Sequence, residues 1–217
     1  MSIIYFFILF FTLHLTAQAP GTFSIIIDPA GDAQTTGRKL HDNFERGLTL
    51  QCAEQLQELL ENKYPYVRVI LTRFPGETVQ PLQNAHFANR LNAQLYLSIN
   101  FYQEAEKLSK LFIYHLCYDT NTLVPTKKTA LAFIPYDQAH LESSSTTQAY
   151  ARKIDQHFKQ SQYRTIFSTH GIIGLPFKPL AGIKAPALAL EIGLSSTDDW
   201  KAYCQALADS LAPIIEA

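Results

Sequence analysis

Phe23-Ser24-Ile25-Ile26-Ile27-Asp28-Pro29 is the stretch on which the fold turns. Its apolar, largely β-branched residues run without polar alternation, the pattern of a strand covered on both faces, and strands of that kind belong to parallel sheets packed between helices. A polar segment rich in Gly and Thr follows from Asp28 to Asn43 and reads as loop. Beyond it, Leu48, Cys52, Leu56, Leu59 and Leu60 recur at helical spacing, which predicts a helix over residues 44–62. Val67, Val69, Ile70 and Leu71 mark a second strand over residues 66–72.

The same alternation continues to the C-terminus. A helix is expected over 79–91, strands over 95–99 and 111–117, a helix over 143–159, a short strand near 176–180, an apolar strand over 187–192 and an amphipathic helix over 198–215. Residues 119–140 carry Pro125 and Pro135 around the apolar patch Ala130-Leu131-Ala132-Phe133-Ile134. They are expected to form a surface insertion, serving as a docking surface or as a strand pairing at the sheet edge. Helices between unalternating strands predict β-α-β crossovers, hence an α/β fold with a mainly parallel twisted sheet of about six strands sandwiched by helices.

Upstream of the first strand, residues 2–15 are almost wholly apolar and lead into Thr16-Ala17-Gln18-Ala19. That is the order of a secretory signal and its cleavage site, and the run is shorter than the roughly 20 residues of a spanning helix. Its first residues carry no Lys or Arg, and Pro20 directly follows Ala19. Cleavage after Ala17, cleavage after Ala19 and retention as a short anchor all fit these residues, and a buried first helix is the competing reading. Residues 1–19 are therefore expected to be a signal peptide ahead of one domain at 20–217, placing that domain in the periplasm or outside the cell.

Composition narrows the partners. The 217 residues are 47% hydrophobic and 17% charged, and 18 basic against 19 acidic side chains leave a net charge of −1. No excess of cations is available to displace counterions from a phosphate backbone, which argues against nucleic acid. Cys52, Cys117 and Cys204 are too few and too dispersed for a disulfide framework or a Cys-based zinc site, and they read as free thiols.

In open α/β sheets, sites form at the carboxyl ends of strands. Three expected strands end in polar groups: Asp28-Pro29-Ala30-Gly31-Asp32, Ser98-Ile99-Asn100, and Glu191 on the apolar run from Ala187. A carboxylate on such a strand is costly to desolvate unless a cation, a metal or a donor meets it, so Glu191 is either functional or ion-paired. Asp42 stands three residues before Glu45, and that spacing reads as a capping box with Glu45 at the third helical position. Ser98 and Ser168 lack a nucleophile elbow, and no phosphate or dinucleotide fingerprint is present. His14, His86, His115, His140 and His157 show no metal-ligand spacing.

Taken in order, five fragments resemble the zinc-dependent N-acetylmuramoyl-L-alanine amidases. They are Ile25-Ile26-Ile27-Asp28-Pro29, Glu45 at the start of the long helix, Val69-Ile70-Leu71-Thr72-Arg73, the stretch from Ala88-Asn89 to Ser98-Ile99, and Pro186-Ala187-Leu188-Ala189-Leu190-Glu191-Ile192-Gly193. The resemblance implies that Glu191 occupies the catalytic acid/base position and Glu45 that of a metal ligand, with Asp28 and Asn100 near the substrate. It also brings departures: Gly31 and Asn100 stand where the family has its two zinc-binding His, and Asn84 replaces an Arg. Glycine offers no donor atom, and a neutral amide oxygen suits hard cations better than zinc. No bound cofactor is therefore expected, with zinc only if Asp32, His41 or His170 rebuilds the site around Glu45. The expected function is that of an exported, catalytically impaired relative binding peptidoglycan, cell-wall peptide or an envelope protein. The alternative is an active amidase with a rebuilt Asp32/His41/Glu45 centre and Glu191 as acid/base.

Overall fold

The computed structural model describes residues 22–80, 82–118 and 135–217. The expected signal segment and the patch at 130–134 lie outside these residues. The chain forms β1 (Phe23–Pro29), β2 (Lys39–Leu40), β3 (Asn43–Phe44), α1 (Glu45–Lys63), β4 (Val67–Leu71), α2 (Gln83–Leu91), β5 (Leu95–Gln103), β6 (Ser109–Leu116), α3 (Ser144–Phe158), β7 (Phe167–Leu175), β8 (Ala187–Leu194) and α4 (Asp199–Ile215). Two 3-10 turns, Ala139–Ser143 and Lys178–Leu180, complete the described elements.

Six strands form one sheet in the order β4-β1-β5-β8-β6-β7. The first four run parallel, as their apolar runs predict. β6 then pairs antiparallel with β8, and β7 lies parallel to β6, so the sheet is mixed at that side. The larger core packs α1, α3 and α4 against Ile25, Ile27, Leu97, Ile99, Leu188 and Leu190. A smaller one packs α2 and the second 3-10 turn against Ile26, Tyr96 and Ala189 on the opposite face. Among the described residues, no helix is long and apolar enough to cross a membrane.

The structure departs from the sequence expectations at several places. Residues 176–180 are not a strand: Pro176 and Pro179 interrupt the backbone donors a ladder needs, and Lys178–Leu180 is a 3-10 turn. The strand of this region is β7, which includes the Thr169-His170-Gly171 segment that reads as loop. α2 begins at Gln83 and not at residue 79, because Leu82 before it is in the left-handed region at φ 65°. The expected capping box is absent: Phe44 is the N-cap residue, Glu45 is the first helical residue, and no side chain caps the helix. Instead the Glu45 and Arg46 amides donate to the carbonyls of Arg38 and Thr36, so the loop's own backbone satisfies these helix-start donors.

Candidate active site

Alternation along the strands sorts side chains between the two faces. Leu97, Ile99 and Phe101 of β5 enter the larger core, and Ser98 and Asn100 between them point to the α2 face. The same parity places Asp28 with Ile26, and Glu191 with Ala189, on that face. Register makes Asn100 the partner of Glu191 and Ser98 the partner of Asp28. The sheet thus gathers three of the predicted strand-end groups along one edge.

Glu45 approaches from the other side of the sheet. β1 leaves the ladder after Pro29, whose partner is Ile99, so the next backbone groups of β5 need substitutes. The Phe101 amide donates to Oε1 of Glu45 at 3.0 Å, and its carbonyl accepts from Nη1 of Arg38 at 3.2 Å. The other carboxylate oxygen, Oε2, accepts the Arg38 amide at 3.0 Å. Both oxygens of this buried side chain are therefore engaged by backbone donors. Held in this way, Arg38 reaches across to Glu191, with Nη2 2.5 Å from Oε1. The second oxygen of Glu191 accepts the Tyr114 hydroxyl at 2.6 Å. Burial and the neighbouring carboxylate push the Tyr114 hydroxyl well above its ordinary range, so it stays a proton donor to Glu191.

The loop packs too closely to accept a side chain at Gly31 or Gly37. Gly31 has φ +78°, and a Cβ there would lie 2.8 Å from Cβ of Arg46 and 2.9 Å from the Thr35 carbonyl. Gly37, at φ +73°, passes over Glu45 so closely that a Cβ would meet Oε2 at 2.8 Å. The amide nitrogen of Asn100 donates to the Ser98 hydroxyl. Among the possible substitutes, Asp32 accepts the Gln34 and Thr35 amides on one oxygen and the Val79 amide on the other. Its carboxyl is held below the usual range, chiefly by the Thr35 and Val79 bonds. His41 sits in the β2–β3 turn at φ 52°, its Nε2 buried without a hydrogen-bond partner among the described residues. His170 stacks on Phe112 at 4.9 Å. Phe112 is the β6 partner of Glu191, so His170 on β7 lies roughly two strand spacings, about 10 Å, from it. No group of three or more His, Cys, Asp or Glu among the described residues is arranged to hold a metal ion. The donor set does not fit the zinc that the sequence resemblance implies.

A second corner is built around Asp28. Its Oδ1 accepts the Thr72 hydroxyl at 2.7 Å and the Asn84 side-chain amide at 2.8 Å. Arg73 fastens the adjoining turn by donating to the carbonyls of Pro29, Ala30 and Arg46. Burial raises the Asp28 pKa, against the Thr72 hydroxyl and the charge of Arg73. Asp28, Gly31, Asn84, Ser98, Asn100 and Lys178 line a cavity of about 420 Å³. Neither Glu45 nor Glu191 belongs to its lining.

The structure therefore brings Glu45, Asn100 and Glu191 to one edge and leaves His170 apart. Arg38, Gly37 and Tyr114 escaped the sequence reading. The only available signal was the requirement that a carboxylate on an apolar strand find a cation, and nothing local identified Arg38 as that cation.

Comparison with known proteins agrees on the scaffold. The family described as N-acetylmuramoyl-L-alanine amidase matches residues 25–211. The chain is 38% identical over 76 residues to the N-acetylmuramoyl-L-alanine amidase CwlM of Bacillus licheniformis, a match spanning 35% of this chain and 30% of that relative. The catalytic domain of CwlV from Bacillus (Paenibacillus) polymyxa superposes with a TM-score of 0.64 at 18% identity, covering 89% of this chain and 98% of that one. The amidase AmiC2 of Nostoc punctiforme gives 0.62 at 17% identity, covering 92% and 100%.

Two substitutions test this geometry. Glu45→Gln turns an amide donor toward a backbone N–H and should cost about 1–3 kcal/mol of stability in urea unfolding, whereas a carboxylate free of structural work would leave the midpoint unchanged. For Asp28 the folded pKa is raised, so proton binding favours the folded state. That contribution is complete below the unfolded value of 3.8 and disappears as pH rises through the folded pKa. Asp28→Asn keeps an acceptor for Thr72 and Asn84. Its stability relative to wild type should therefore increase as pH rises above 3.8, measured by urea midpoints across the acid range.

Proposed function

The chain belongs to the N-acetylmuramoyl-L-alanine amidase family, and from that membership we propose that it is an exported cell-wall-binding relative in which amide hydrolysis is lost. The observation that carries the proposal is the Arg38–Glu191 ion pair beside a Glu45 whose two oxygens both accept backbone N–H groups. By the family resemblance, Glu191 stands at the acid/base position and Glu45 at a ligand position. A guanidinium neutralises the first, and the backbone engages the second.

The chemical consequence is a site without a Lewis acid. Water far from a metal keeps a pKa near 15.7, compared with roughly 7 when a zinc ion activates it. A guanidinium is permanently protonated and offers only N–H donors, so it can neither coordinate water nor accept its proton. Glu191 retains a proton-accepting group, but its charge is balanced by Arg38 and its second oxygen is bonded to Tyr114.

Binding survives such losses more readily than catalysis. The 420 Å³ cavity beside the site falls in the range of small-ligand clefts and combines apolar walls with Asp28, Asn84, Asn100 and Lys178. A cell-wall peptide, which carries amides, a carboxylate and small apolar side chains, suits that lining. The apolar segment at residues 2–15 followed by Thr16-Ala17-Gln18-Ala19 supports export to the compartment where peptidoglycan lies.

The test is incubation of the chain with purified murein sacculi in the presence of zinc. The protein should co-sediment with sacculi and release no soluble peptide. Peptide release that Glu191→Ala and a chelator both abolish would establish a working amidase, and failure to co-sediment would remove the binding role.

A further inference from the structure

Three cysteines far apart in sequence read as independent thiols, and the fold brings two of them together. Cys52 lies on the face of α1 that also buries Leu48 and Leu56, and Cys204 lies on the face of α4 that buries Leu207 and Leu211. Both are fully buried in the larger core. Their sulfurs are 2.8 Å apart, and Sγ of Cys204 is also 3.6 Å from the Cys52 carbonyl. Cys117 is exposed beyond the end of β6. A disulfide holds its sulfurs at about 2.05 Å, so closure of the pair needs a movement of less than about 1 Å.

We propose that Cys52 and Cys204 form a disulfide that fastens α4, the last helix, to α1. The bond would close a loop spanning 152 positions. In the chain-entropy account, the constraint on the unfolded chain grows with the length of the loop closed. The pair is independent of the candidate active site and of any metal.

The chemistry requires a two-electron oxidant, and an external disulfide such as glutathione disulfide supplies it. One cysteine thiolate attacks glutathione disulfide, forming a mixed disulfide and releasing one glutathione thiolate. The second cysteine thiolate then attacks the protein sulfur of that mixed disulfide and releases the second glutathione. Two cysteine thiols are oxidised, one glutathione disulfide is reduced to two thiols, and the two protons pass to the released thiolates or to solvent. Burial pushes the Cys52 thiol well up, so the folded core disfavours the attacking thiolate. Exchange therefore belongs to the stage before α4 seats on α1.

The experiment refolds the full chain from denaturant in a glutathione redox buffer, then counts thiols by alkylation under denaturing conditions and maps linked peptides by mass. We expect one alkylated cysteine, Cys117, and a linked Cys52–Cys204 peptide. Three alkylated cysteines, or a link that contains Cys117, would overturn the proposal. A Cys117→Ser chain leaves only the pair: no alkylated cysteine is the expected result, and two would overturn it. Because the oxidant is supplied in the buffer, neither outcome depends on export or on sacculus binding.

Discussion

The arrangement of the whole edge depends on two backbone groups of Phe101. Where β1 ends at Pro29, β5 continues, and a strand that continues without its neighbour leaves a donor and an acceptor to be satisfied. Glu45 accepts the donor and Arg38 fills the acceptor. These bonds fix Glu45 at the first turn of α1 and extend Arg38 over the sheet toward Glu191. Loop, helix start and strand end are thereby tied through one peptide unit.

That constraint sets the surroundings of the Glu45 carboxylate. A ligand must present a free lone pair toward a shared point, and here each oxygen of Glu45 already directs one lone pair at a backbone amide proton. Gly37 lies against the same carboxylate, and Gly31 has no space for a side chain at its present φ. The positive charge near Glu191 comes from a side chain and not from an ion. The Arg38 guanidinium balances the charge of the Glu191 carboxylate.

Much of the scaffold was legible in the sequence because its signals are local. The unalternating runs at Ile25–Ile27 and Leu188–Leu190 announced buried parallel strands, and the leucine spacing between Leu48 and Leu60 announced α1. Thr72 and Arg73 were legible as part of a familiar pattern, and the structure supplies their physical role in fastening the Asp28–Ala30 turn. β5 runs beyond Ile99 to Gln103 through its pairing with β8, and the polarity of Asn100, which faces the site, conceals that continuation. β7 was missed for a related reason: it is an edge strand, mostly half-exposed, and its Thr169-His170-Gly171 segment has the composition of a turn.

What the sequence could not display was pairing at long range. Arg38 precedes Glu45 by seven positions in a loop whose composition looks unstructured, and Glu191 follows more than 150 positions later. The apparent capping box at Asp42 and Glu45 was a local pattern overridden by a tertiary demand, since Phe101 claims the carboxylate that would otherwise cap its own helix. The Cys52–Cys204 contact was hidden in the same way.

The most direct measurement is a crystal of the chain soaked in zinc, with anomalous difference density recorded at the zinc absorption edge. The account predicts no peak within bonding distance of Glu45 and an Arg38 guanidinium still seated on Glu191. A zinc peak bonded to Glu45, with Arg38 displaced from Glu191, would contradict it.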